Sequence, residues 1–157
     1  EKARIADLIR TRLARQEVIG ILFPQRRLVF GYAKGLNELG IDVVTDGREG
    51  VDFGDPRPKV LTYHEAKGLT FDSVFLPRLD TRAFTDRLLV RMLPLMFVGV
   101  SRAVKWVCLS TREGVMIPPI QQIAQMELLD YVDVRRWEGS KIESLDLDPD
   151  EEDPLPF

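Results

Sequence analysis

The spacing of apolar residues along the chain alternates between two periods. Apolar residues three and four positions apart predict helices at Glu1–Arg15, Leu28–Leu39, Leu88–Arg102 and Ile120–Leu129. Short apolar runs predict strands at Val18–Phe23, Ile41–Thr45, Lys59–Thr62, Ser73–Leu76, Lys105–Ser110 and Tyr131–Trp137. Because strands alternate with helices, the pattern predicts an α/β domain with layers of helices around a mostly parallel sheet.

Proline and glycine mark several boundaries of these elements. Gly40 is placed as the glycine that follows the end of the second helix. The third helix is predicted to be buried, with a kink or a new start at Pro94. Pro118 and Pro119 open the fourth helix. The residues 46–58 are rich in Gly, Pro and Asp and are predicted to form a loop.

The charge distribution separates the two ends of the chain. Lys141 and seven acidic residues lie in 141–157; without them, the totals of 22 basic and 25 acidic residues fall to 21 and 18 for residues 1–140. We therefore expect one domain over residues 1–138 and an acidic, disordered tail over 139–157. The tail is expected to be a solubilising or linker segment, with partner binding as the alternative.

Several classes of protein are excluded by what the sequence lacks. Cys108 and His64 are the only cysteine and histidine, which excludes an internal disulfide and a metal site rich in these ligands, so no metal site is expected. No apolar run reaches the roughly 18 residues of a membrane helix, and no secretory signal is present. We therefore expect a cytoplasmic protein with no membrane partner. Because Met is missing at the start, we also expect a piece of a longer protein.

The first segment that carries chemistry is LTYHEAKGLTFDSVFL, residues 61–76. Its polar loop brings hydroxyl, imidazole and ammonium groups and accessible backbone, which suit phosphate oxygens. These groups belong to Thr62, His64, Lys67 and Gly68. In open α/β sheets ligands bind beyond the carboxyl ends of strands, where this loop begins. The alternative is that Thr62 and His64 satisfy local backbone groups and that Lys67 is a solvated surface residue.

The second segment is FVGVSRA, residues 97–103, in which Arg102 ends an apolar helix just before a strand. A guanidinium that projects from a rigid element suits phosphate, as in an arginine finger. The alternative is that Arg102 interacts with the last carbonyls of its own helix. The strand-end rule places Arg102 and Lys67 at opposite edges of the sheet, so spacing alone does not bring them into one site.

The two segments together resemble a known family. The order T-x-H-x-A-K-G-L-x-F-D-x-V-F, then about twenty residues, then F-V-G-V-S-R-A is similar to motifs V and VI of superfamily 1 helicases of the UvrD/Rep type. The resemblance covers about residues 15–112. It implies the second RecA-like motor domain of an ATP-dependent DNA helicase or translocase, the domain that lacks a P-loop. The sequence indeed contains no G-x-x-x-x-G-K-[ST] pattern.

The resemblance implies a role for each matching residue. It makes Arg102 the catalytic arginine that reaches the γ-phosphate. The residues that it places at ATP are Arg102, Gly99, Gly68 and Thr70. The residues that it places on single-stranded DNA are Thr62, His64 and Lys67, with single-stranded RNA as the alternative ligand. ATP and Mg²⁺ would be held mainly by an upstream P-loop motor domain of the same chain, so this fragment alone is expected to be inactive.

The sequence departs from the family pattern at several positions. Thr70 stands where the family usually has the glutamate that contacts the nucleotide ribose, and Pro24 stands where an arginine is common. The loop 46–58 leaves no room for a large inserted subdomain, which favours a compact RecD-like or HelD-like branch. Two alternatives stay open: a degenerate motor domain that acts as a binding or scaffolding module, and an unrelated α/β nucleotide-binding domain with chance matches.

The remaining aromatic residues and the cysteine have simpler interpretations. Cys108 and Trp106 are expected to pack within the domain, and so is Trp137. Phe30 and Tyr32, close to Arg26 and Arg27, are candidates for stacking on bases.

Overall fold

The computed structural model describes residues 1–45, 52, 54–84, 91–112, 114–125 and 133–136. The predicted tail 139–157, Trp137 and most of the predicted loop 46–58 lie outside these residues. Within the described chain, no helix is long and apolar enough to cross a membrane.

Helices and strands alternate along the chain. The helices are α1 (Lys2–Leu13), α2 (Arg26–Glu38), α3 (Met92–Val100) and α4 (Pro118–Ala124). The strands are β1 (Ile19–Phe23), β2 (Val44–Thr45), β3 (Lys59–Thr62), β4 (Phe71–Leu76) and β5 (Ala103–Leu109). The strands form one parallel sheet in the order β2-β3-β1-β4-β5. This is the three-layer α/β architecture that the sequence pattern predicted, and it is consistent with the RecA-like type that the resemblance implied.

The core is divided between the two faces of the sheet. In β1, Ile21 points toward α1 and α2, and Leu22 points toward the layer that contains α3 and α4. Ile9 and Leu36 fill the first layer, and Met96 lies in the second. Because successive strand residues point to opposite faces, a strand covered on both sides is apolar throughout, and all of β1 is buried.

The end of α2 confirms the prediction for Gly40. Gly40 has φ +76°, a left-handed conformation that glycine adopts without steric cost. Its N–H donates to the Asn37 carbonyl at 2.9 Å, and the Ile41 N–H donates to the Leu36 carbonyl at 2.9 Å. The predicted strand Ile41–Thr45 is shorter, because only Val44 and Thr45 pair with β3. The Val43 N–H instead donates to the Asn37 side chain at 3.2 Å.

The predicted helix Leu88–Arg102 is described only from residue 91 onward, since residues 88–90 lie outside the described part of the chain. The helix begins at Met92 with Pro94 in its first turn, where the missing N–H has no helical partner to lose, in agreement with the predicted new start at Pro94. The prediction that the helix is buried was wrong: Met96 packs on the sheet, whereas Leu93 is 63% exposed and Phe97 74% exposed. The helix is apolar all round, but the sheet covers only one of its faces.

The predicted last strand Tyr131–Trp137 is not formed in its described part, residues 133–136. Asp133 and Arg135 are exposed and form an ion pair with each other at 2.6 Å. This short charged stretch offers no apolar face to the sheet, which explains why it does not extend it.

Candidate functional site

The segment 63–70 crosses the sheet from its carboxyl edge to its amino edge. At its beginning, the Tyr63 N–H donates to the carbonyl of Phe23 at the end of β1, at 2.9 Å. Just after its end, the Phe71 N–H donates to the carbonyl of Arg102 at 2.8 Å. The far end of this segment, Leu69 and Phe71, therefore meets Arg102 at the amino edge. Thr62 and Arg102 themselves lie at opposite edges, as the strand-end rule predicts.

Thr62 and Glu65 close a reciprocal capping box at the carboxyl end of β3. The Glu65 carboxylate accepts from the Thr62 N–H at 2.7 Å and from the Thr62 hydroxyl at 2.9 Å. In return, the Glu65 N–H donates to the Thr62 hydroxyl at 3.2 Å. This is the local role that the alternative interpretation gave to Thr62. The other Glu65 oxygen lies 4.0 Å from the Arg26 guanidinium.

Glu65 and Arg26 also belong to this site, although neither was predicted from the sequence. The T-x-x-E spacing of a capping box was a readable signal for Glu65. Arg26 begins α2, and only the packing of that helix beside β3 brings it near Glu65.

The other residues predicted on this segment present their groups to solvent. His64, Lys67, Gly68 and Thr70 are all exposed. Gly68 has φ +86°, and a Cβ built on it would meet no atom within 4 Å. Its backbone conformation therefore requires glycine, whereas the open space beside its Cα leaves room for a ligand to approach the backbone.

Tyr63 joins the segment to helix α3. A Cβ added to Gly99 would lie 2.8 Å from the Tyr63 ring and 2.9 Å from Leu76, so only glycine fits where the ring crosses α3. Burial raises the pKa of Tyr63 well above its ordinary value. Gly99 thus packs between the two candidate segments, and the ATP contact that the resemblance implies for it stays a prediction.

Arg102 is held by neutral acceptors at the C-terminal end of α3. Its Nε donates to the Val98 carbonyl at 3.1 Å, as the helix-carbonyl interpretation expected. Its terminal nitrogens donate to the Leu69 carbonyl at 3.3 Å and to the Ser101 hydroxyl at 3.0 Å. No ion pair within the described ranges includes Arg102. The guanidinium is therefore positioned, and no carboxylate of the described residues neutralises its positive charge.

A second cluster of arginines, which the sequence analysis missed, surrounds Asp80 beyond the end of β4. The fully buried Asp80 carboxylate accepts from Arg78 at 2.8 Å and from Arg112 at 3.3 Å. It also accepts from the N–H groups of Arg82 at 3.0 Å and Ala83 at 2.9 Å. Burial alone would raise the pKa of Asp80, but these hydrogen bonds and charges outweigh it and lower that pKa.

The described side chains contain no group of three or more His, Cys, Asp or Glu placed to hold a metal ion. Burial raises the pKa of Cys108 to about 11, which makes a reactive thiolate unfavourable. The ring of Trp106 packs edge-on against Phe75 at 5.3 Å between centroids, as expected for a packing residue.

Comparison with known proteins extends the description of the fold. No protein-family profile matches the sequence, and no curated protein matches it significantly. Among solved structures, the chain is similar to the C-terminal domain of a possible DNA helicase from Lactobacillus plantarum WCFS1. The TM-score is 0.58 at 21% sequence identity, over 72% of this chain and 69% of that chain. At this identity, the likeness establishes a shared fold.

Proposed function

We propose that this chain is the second motor domain of an ATP-dependent superfamily 1 DNA helicase or translocase of the UvrD/Rep type. The observation that carries the proposal is the junction of the two motif-like segments, where Arg102 donates to Leu69 at 3.3 Å and Tyr63 packs on Gly99. The fold shared with the C-terminal domain of a possible DNA helicase supports it.

In this proposal Arg102 stabilises negative charge on the γ-phosphate of ATP. ATP and Mg²⁺ are held mainly by a P-loop motor domain of the same protein, since this sequence has no P-loop pattern. Arg102 binds neutral oxygens in the structure, so charged phosphate oxygens are stronger acceptors for it. Gly68 and Thr70 lie near the nucleotide, with Thr70 donating a hydrogen bond where the family uses a carboxylate.

The segment 63–70 links the strand to the nucleotide in the same proposal. His64 and Lys67 contact phosphates of single-stranded DNA beside Thr62, and such contacts are independent of base sequence. A shift of the segment on strand binding is passed to α3 through Tyr63 and to Arg102 through the Leu69 carbonyl.

The test is ATP hydrolysis by the full protein, with and without single-stranded DNA, for the wild type and for Arg102→Ala. Removal of an arginine finger lowers turnover by roughly 10³–10⁵-fold in other phosphoryl-transfer enzymes, so we expect a loss of at least about 100-fold. Arg4→Ala, which removes an exposed arginine of α1, is the matched control and should hydrolyse ATP like the wild type. Turnover that is indifferent to Arg102→Ala would overturn the assignment of the finger.

A degenerate motor domain that acts as a binding or scaffolding module is the second candidate. It is favoured by Thr70 and Pro24, which replace the glutamate and arginine common in the family. A wild-type protein without strand-stimulated turnover, or a partner P-loop without its lysine, would favour this candidate. Robust ATP hydrolysis by the 157-residue chain alone would contradict both, because neither gives this domain a triphosphate site of its own.

A further inference from the structure

An exposed aromatic ring on α2 lies beside an arginine one turn earlier. Phe30 is 50% exposed, and the Arg26 guanidinium lies 5.7 Å from the centroid of its ring. Val29 and Leu36 hold α2 against the sheet, so Phe30 stands at the side of the packed face. Tyr32 cannot serve as a stacking surface as the sequence suggested, because it is buried with its ring 4.9 Å from Phe23.

This pair adjoins the carboxyl edge of the sheet. Arg26 lies 4.0 Å from Glu65, which closes the capping box with Thr62. The exposed His64 lies between Thr62 and Glu65 in the sequence. The Glu65 carboxylate alone would repel a phosphate at Thr62. Arg26 offsets that charge. A contact between Thr62 and a phosphate of the bound strand is therefore electrostatically more favourable than it would be beside Glu65 alone.

Two further arginines are linked to the same edge through Gln25. The Arg27 Nε donates to the Gln25 side-chain oxygen at 2.7 Å, and the Gln25 amide donates to the Ala83 carbonyl at 2.8 Å. Arg82 precedes Ala83, and both Arg27 and Arg82 are exposed. Three carboxylates among the described residues lie at the ends of β3, β4 and β5. Arg26 faces Glu65, and Asp80 is buried between Arg78 and Arg112. Glu1 accepts from the Arg78 N–H at 2.9 Å and from the Ser110 hydroxyl at 2.6 Å.

We propose that Phe30 and Arg26 form a base-stacking subsite for single-stranded nucleic acid, with Arg27 and Arg82 as phosphate contacts. An aromatic face accepts any base, and nearby cations follow the backbone, so the subsite binds without sequence readout. The subsite adds to the strand contacts proposed for Thr62, His64 and Lys67. It rests on the proposed function, because that function identifies the bound strand. A docked protein is the disfavoured occupant, because exposed cations rather than apolar residues adjoin Phe30.

The experiment measures binding of a fluorescently labelled oligothymidylate to the full protein by anisotropy, without nucleotide. Loss of one stacked base weakens binding roughly 5- to 150-fold, so we expect a Kd raised about tenfold or more for Phe30→Ala. Phe30→Trp should retain affinity. Phe97→Ala, which removes a comparably exposed ring from α3, is the matched control and should bind like the wild type. Arg27→Ala should reduce the slope of log affinity against log salt by about one.

The outcomes of these binding and turnover experiments distinguish the base-stacking subsite from the proposed motor function and from the arginine finger. Wild-type affinity for Phe30→Ala, or an equal loss in Phe97→Ala, overturns the subsite. Absence of strand binding by the wild type overturns it together with the motor proposal. Weakened binding by Phe30→Ala combined with turnover that is indifferent to Arg102→Ala supports the subsite and overturns only the arginine finger. Unfolding curves of the Phe30 variants that match the wild type exclude misfolding as the cause.

Discussion

The surroundings of Arg102 and of Asp80 show two different uses of arginine in one domain. Arg78 and Arg112 meet a buried carboxylate, which also accepts two backbone N–H groups. Arg102 meets two backbone carbonyls and a hydroxyl. Both sets are well hydrogen-bonded, but in the part of the chain that the structure describes only the first pairs with a carboxylate.

This difference in partners indicates which arginine is available to a ligand. Separating Arg78 or Arg112 from Asp80 would leave a buried carboxylate with less compensation, which is unfavourable. Arg102 can exchange neutral oxygens for charged ones without breaking any ion pair among the described residues. The comparison therefore predicts that Asp80 and its arginines stabilise the fold and that Arg102 affects activity with little effect on stability.

The largest effect on stability is expected for Asp80→Ala. Removal of one partner from a buried ion pair costs about 3–5 kcal/mol, because the remaining groups lose their compensation. Arg78 and Arg112 are partly exposed, so we expect a loss near the lower end of that range. Urea unfolding measures it. Asp80→Asn keeps an acceptor for the N–H groups of Arg82 and Ala83 and should lose less. A loss below about 1 kcal/mol in Asp80→Ala would contradict the structural role.

The Asp80 carboxylate should also make folding sensitive to acid. The pKa of Asp80 is lower in the folded chain than its unfolded value of about 3.9, so its stabilisation is present above that pH. It is lost as the pH falls through the folded pKa. The free energy of unfolding of the wild type should therefore fall more steeply below about pH 4 than that of Asp80→Asn. Unfolding curves at a series of pH values measure this, and parallel curves would contradict it.

A smaller effect is expected at the helix that carries Arg102. Gly99→Ala forces a methyl group to within 2.8 Å of the Tyr63 ring, and such overpacking costs about 1–3 kcal/mol. Gly31→Ala is the matched control: its Cβ meets no atom within 4 Å, and alanine stabilises a helix interior by about 0.5–1 kcal/mol. Thermal unfolding should thus shift in opposite directions for the two variants. Equal shifts would show that Tyr63 does not pack on Gly99 as described.

Much of the fold was predictable from local pattern. The strands β1, β3, β4 and β5 and the helices α1 and α2 lie within two or three residues of their predicted positions. Uninterrupted apolar runs indicate strands buried on both faces, and Gly40 marks the end of α2. The exposure of Phe97 was not predictable, because an apolar helix does not reveal how many of its faces the sheet covers.

The candidate site was predictable only in part. The hydrogen bond of Arg102 to Val98 is local and was foreseen as one of two interpretations. Its contact with Leu69 depends on the path of segment 63–70 across the sheet, which spacing does not specify. The cluster at Asp80 was missed because Arg112 lies 32 residues away, and β4 and β5 must pair before the two side chains meet.

The most direct test of the central claim compares Arg102→Ala with Arg112→Ala in the full protein. Strand-stimulated ATP turnover and the free energy of unfolding are measured for both variants. We expect Arg102→Ala to lose at least about 100-fold in turnover, with the free energy of unfolding changed by no more than about 1 kcal/mol. We expect Arg112→Ala to be destabilised by more than that and, while folded, to keep most of its turnover. Full turnover in Arg102→Ala, or a loss of turnover that only follows unfolding, would contradict the account.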